Sequence, residues 1–92
     1  MSRKYPPDRL TESEGRYYGR GTSDMKSGLA AMLYAFKHAA ASGCKPKSDI
    51  YFAATADEET NAIGAQELSK YLPLDTAVTF IAEPTDNAIG IC

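Results

Sequence analysis

Apolar residues between positions 25 and 42 recur at a helical period. With each residue turned about 100° from the last, Leu29, Met32, Leu33, Phe36 and Ala40 share one stripe, while Lys37 and His38 lie off it. Ser42-Gly43 closes this helix, and Pro46 prevents its return. The stretch DIYFAAT, residues 49–55, has a different pattern. Its β-rich, nearly continuous apolar centre predicts a strand covered on both faces. A second helical period spans about 62–72, with Ala65, Leu68 and Leu72 on one stripe and Pro73 as the stop. AVTFIA, 77–82, predicts another buried strand, and AIGIC, 88–92, the start of a further one. Upstream, Arg16, Tyr17 and Tyr18 form a short strand candidate. Residues 1–14 are polar, contain Pro6-Pro7 and read as an irregular lead-in.

This order, β-α-β-α-β with short loops, predicts an α/β fold with a mostly parallel sheet, right-handed crossovers and flanking helices. A sheet made only of these pieces would have bare edges and one poorly covered face. Residues 15–92 are therefore expected to be part of a larger domain, or one side of an assembly.

Bulk properties narrow the function. The chain has 92 residues, 43% of them apolar and 24% charged, which is ordinary for a soluble globular protein. Its net charge of -2 offers no basic excess to neutralise phosphates, which argues against a nucleic-acid partner. The apolar runs are far shorter than the roughly 20 residues of a membrane-spanning helix. MSRKYPPDRL lacks the apolar core of a secretory signal. Cys44 and Cys92 form no CxxC pair, so two unpaired thiols and a reducing, cytoplasmic home are expected.

The glycine-rich turn GRGTSD, residues 19–24, leads into the first helix. It departs from the dinucleotide fingerprint at the third glycine, where Asp24 stands and would repel a pyrophosphate. It also fails the Walker pattern, because Lys26-Ser27 follows Met25 and not glycine. Asp24 on its own fits a helix N-cap. Ligands of open α/β sheets, however, bind outside the carboxyl ends of the strands. Three predicted loops lie at that edge, and all are acidic: Asp24 in the first, Asp57, Glu58 and Glu59 in the second, Glu83 in the third. Thr55-x-x-Glu58 also fits a capping box, and Glu83 before Pro84 fits a solvated turn. Carboxylates gathered in one cleft repel each other unless they are protonated or bridged by cations. Zinc, manganese and cobalt all suit such donors. His38 is the single histidine, and its place off the apolar stripe reads as solvated, not as a ligand.

YYGRGTSDMKSGLAAM, ATADEE and IAEPT, in this order and spacing, resemble the zinc amidohydrolases and exopeptidases of peptidase family M20. The family includes deacetylases, desuccinylases, aminoacylases and carboxypeptidases. The resemblance implies a zinc-exopeptidase-like catalytic domain and two divalent metal ions, zinc first, with cobalt or manganese as alternatives. Asp24 would bridge the metals, Glu59 would bind one and Glu83 the other. Glu58 would be the general base. A cis peptide is implied between Asp24 and Met25. The implied substrate is a small N-acyl amino acid or peptide, with the deacetylase and desuccinylase wording the nearest. The family's His-x-Asp motif, its downstream histidine and its lid domain have no counterpart here, so the chain by itself is expected to be inactive. A homo-oligomer is compatible with this reading. The alternative is a non-catalytic binding or assembly module that retains the family core.

Overall fold

The computed structural model describes residues 4–72 and 78–90. Expectations placed on Pro73, Ala77, Ile91 and Cys92 fall outside those residues. Two strands and two helices are present: β1 (Thr11–Ser13), β2 (Arg16–Tyr18), α1 (Ser27–Ala41) and α2 (Ile63–Leu68).

The lead-in is not irregular throughout. Thr11 pairs with Tyr18, Glu12 with Tyr17 and Ser13 with Arg16 in an antiparallel ladder. Glu14 and Gly15 connect the strands, both at positive φ (53° and 72°), as a two-residue hairpin turn that follows the strand twist requires. Tyr5 stacks on Tyr18 with ring centroids 4.2 Å apart and donates its hydroxyl to Ser13 Oγ at 3.0 Å. Arg16–Tyr18 is the short strand expected there, while its partner Thr11–Ser13 lies in the stretch expected to be irregular, because a three-residue strand is too short to show a period.

Helix α1 lies where the 3.6-residue period put it. It closes at Ser42, whose N–H and hydroxyl both donate to the Ala39 carbonyl (3.3 and 2.7 Å), and Gly43 follows in the left-handed region at φ 74°. Leu29, Met32 and Phe36 of the predicted stripe are half-buried, while Leu33 and Ala40 are exposed. Phe36 meets Phe52 with ring centroids 5.9 Å apart. Helix α2 is shorter than predicted, but turns continue to Leu72, whose N–H donates to the Leu68 carbonyl at 3.2 Å.

The predicted parallel sheet does not appear among the described residues. Residues 49–55 and 78–82 form no ladder there, and the one sheet is the antiparallel β1–β2 pair. An apolar β-rich run becomes a strand only when a neighbour takes its backbone hydrogen bonds. Neither run has one here, so Ile50, Tyr51, Val78, Phe80 and Ile81 stay exposed.

No hydrophobic side chain among the described residues is fully buried. The accessible surface is 8692 Å², against about 5,200 Å² for a folded monomer of this size. The radius of gyration is 16.2 Å, where a compact chain of this length has about 12 Å. The described residues thus have elements compatible with a fragment of an α/β domain, without a closed core among them. No helix among the described residues is long and apolar enough to cross a membrane.

Candidate functional site

Asp24 is held by the glycine turn. Gly21 sits at φ 77°, a value that disfavours a side chain. Its carbonyl accepts the Lys26 N–H at 2.8 Å, and the Thr22 hydroxyl donates to the Gly19 carbonyl at 3.0 Å. The Lys26 ammonium folds back onto the Arg20 carbonyl at 3.1 Å. These bonds close a wide turn over Thr22–Lys26, in which Asp24 is extended (φ -116°, ψ 102°) and joined to Met25 by a cis peptide. Helix α1 starts only at Ser27, with Lys26 as its cap residue and no side-chain capping bond. Asp24 is therefore not the N-cap of α1.

The second acidic loop is organised by Asp57. It sits at φ 66°, and its carbonyl accepts the Ala62 N–H at 2.7 Å. Its carboxylate accepts the Thr60 hydroxyl and, at 3.5 Å, the Ile63 N–H that opens α2. The Thr60 hydroxyl, then the backbone N–H groups of Ile63 and Asn61, hold the Asp57 carboxyl below its ordinary value, against a smaller desolvation effect. The Thr55–Glu58 capping box does not form, since α2 begins at Ile63 with Ala62 as its cap residue and no side-chain capping bond. Asp57 takes the structural role, and Glu58 and Glu59 remain exposed.

Glu83 joins the two loops electrostatically. Its carboxyl is raised above the ordinary value, first by desolvation, then by the charges of Asp24 and Glu58, by a hydrogen bond with Asp24, and by the charge of Glu59. Asp24, Glu58 and Glu59 thus each lie within electrostatic reach of Glu83.

Two glycines that sequence reasoning passed over explain this gathering. A Cβ on Gly28 would lie 2.2 Å from the Ala82 carbonyl oxygen, so α1 rests directly on the residue before Glu83. A Cβ on Gly64 would lie 2.6 Å from the Ala56 carbonyl oxygen, which accepts the Gly64 N–H at 3.2 Å. The signal was present in the sequence: a glycine inside a helical pattern needs a packing reason.

An all-carboxylate donor set suits hard or borderline divalent cations, and the mutual repulsion at Glu83 is of the kind a cation relieves. Among the described residues, no three His, Cys, Asp or Glu side chains converge as a ready metal cage. The donor chemistry fits a metal, while these residues alone leave its coordination incomplete. His38 is exposed beside Tyr34 and takes no part in the acidic group. A cleft of about 630 Å³ lies on the hairpin side of the glycine turn against Leu10, Tyr17, Arg20 and Lys26, and none of the four acids lines it.

Both helices start close to acid-bearing segments, in a chain compatible with a fragment of an α/β domain. The chain belongs to peptidase family M20/M25/M40, whose family model matches residues 3–92. It is 42% identical over 85 residues to a probable succinyl-diaminopimelate desuccinylase of Staphylococcus epidermidis, covering 90% of this chain and 21% of that protein. A protein of the same description from Staphylococcus aureus is 42% identical over 87 residues, covering 92% and 22%. An acetylornithine deacetylase of Vibrio campbellii is 38% identical over 81 residues, covering 88% and 21%. The chain spans about a fifth of the length of these relatives. No solved structure gives a significant match.

Proposed function

We propose that this chain carries part of the active site of a two-metal amidohydrolase that cleaves the amide of an N-acyl amino acid or a small peptide. The observation behind this reading is the Glu83 carboxyl, raised first by desolvation and then by the charges of Asp24 and, from another loop, Glu58 and Glu59. Asp24 would bridge the two ions, with Glu59 on one and Glu83 on the other, zinc ahead of cobalt or manganese. Bound divalent ions supply Lewis acidity to the scissile carbonyl and lower the pKa of a shared water. Glu58 is the general base in this reading. Its carboxylate accepts the proton of the attacking water and returns it to the departing amine. A base of this kind must not itself be a ligand, and two adjacent glutamates allow the division of work. The relatives named as desuccinylase and deacetylase favour N-acyl amino acids over peptides as substrates.

Metal ligands beyond these three would come from outside this chain, so the chain alone should be inactive. Purified chain is assayed with zinc or cobalt against N-acetylornithine and N-succinyl-diaminopimelate, and titrated with zinc by calorimetry. Zinc binding that disappears in Asp24→Ala, with no turnover, is the expected result. Absence of any zinc binding would favour the non-catalytic module instead. Turnover above the metal blank, abolished by Glu58→Gln, would overturn the expected inactivity while supporting the site.

A further inference from the structure

We infer that Gly28 and Gly64 are positioning residues, which set where the acidic loops meet by letting two helices rest directly on the carbonyls in front of them. The inference takes its functional meaning from the reading of Asp24, Glu58, Glu59 and Glu83 as one site.

The same device occurs twice. Gly28 is the second residue of α1 and lies on Ala82, immediately before Glu83. Gly64 is the second residue of α2 and lies on Ala56, immediately before Asp57, Glu58 and Glu59. Neither glycine is in the left-handed region, so their backbones would accept alanine and only space forbids it. The atoms in the way are backbone carbonyls, which cannot swing aside as a flexible side chain can. Ordinary carbon contacts start near 3.5 Å, so a methyl at 2.2 or 2.6 Å would displace its neighbour by about 1 Å. That displacement passes to the next residue along the chain, which is an acid in both cases. A misplacement of about 1 Å is enough to disable a catalytic arrangement. Gly90 has nothing within 4 Å of its would-be Cβ and no positive φ, which makes it the neutral comparison.

The test uses the whole 92-residue chain and NMR, and needs no metal. Asp24→Asn should shift the Glu83 signals in the parent chain. In a Gly28→Ala background that cross-effect should fall by about threefold or more, while Gly90→Ala leaves it intact. In the second arm, Glu83→Gln should shift the Glu58 and Glu59 signals, and Gly64→Ala should weaken that effect in the same way. Circular dichroism and the β1–β2 signals report whether each variant keeps its fold. Cross-effects of parental size in a folded Gly28→Ala or Gly64→Ala chain would overturn the inference. So would loss of the fold in both variants, since the glycines would then hold the helices and not aim the acids. Zinc titration separates this from the functional reading. Zinc binding lost in Asp24→Asn but unchanged in Gly28→Ala would refute the positioning role alone; no zinc binding in the parent counts against the metal site, and the NMR cross-effects still decide the role of the glycines.

Discussion

Asp24, far away in the chain, places its charge within electrostatic reach of the Glu83 carboxyl. Desolvation penalises the charged form and the Asp24 charge repels it, so Glu83 keeps its proton above the ordinary value of 4.5. The group binds its proton more tightly folded than unfolded. Its contribution to stability is therefore fully present below pH 4.5 and is lost as pH rises through the raised value. Asp24→Asn should lower the Glu83 pKa in a carbon-detected NMR titration. It should also raise the urea midpoint at pH 7 relative to pH 4. An unchanged Glu83 titration would remove the pairing from the account.

Asp57 should behave in the opposite sense. Its folded pKa lies below the ordinary 3.8, so its contribution is present above pH 3.8 and vanishes as pH falls through the lowered value. Thr60→Val removes the largest cause. Hydrogen exchange at the Ile63 amide should then accelerate at pH 6 and lose its extra acid sensitivity. Equal protection in both chains would mean that the loop does not depend on this contact.

Gly15 and Gly28 should respond to alanine for different reasons. Gly15 has open space but a φ of 72°, so Gly15→Ala should loosen the hairpin by about 1–2 kcal/mol through backbone conformation alone. Asparagine, which tolerates that region, should recover much of the loss. Gly28→Asn has no such escape, because its obstacle is the Ala82 carbonyl. Exchange rates at Thr11 and Tyr18 measure the first effect. A hairpin unaffected by Gly15→Ala would show that the turn does not limit its stability.

Phe80 is 83% exposed and Ile81 72% exposed, in an apolar run with no ladder partner among the described residues. Bare apolar segments of this kind seek other chains. Sedimentation at rising concentration should show self-association, reduced by Phe80→Lys. A monodisperse monomer at high concentration would argue against a homo-oligomer built on this run.

The candidate acids could be named from the sequence, because the signals that single them out are local: acids that follow β-rich runs, and a glycine turn that ends in aspartate. The alternative assignments needed coordinates to settle. Asp24 and Glu58 both satisfied capping rules on paper, yet neither caps a helix, since the chain starts α1 at Ser27 and gives the α2 loop to Asp57. Capping rules identify residues able to cap and cannot say which neighbour will do so.

The sequence alone determined α1 and its stop, since a 3.6-residue period over fifteen positions and a left-handed glycine are local properties. It also determined the family, through three short motifs in order. Only the tertiary structure decided that, among the described residues, 49–55 and 78–82 stand without a ladder and no closed core forms. A strand and a core depend on what lies beside them, and that is not encoded within the segment itself. Only the tertiary structure, likewise, turned Gly28 and Gly64 from helix-weakening residues into contact points, because a missing Cβ matters only where another backbone occupies its place.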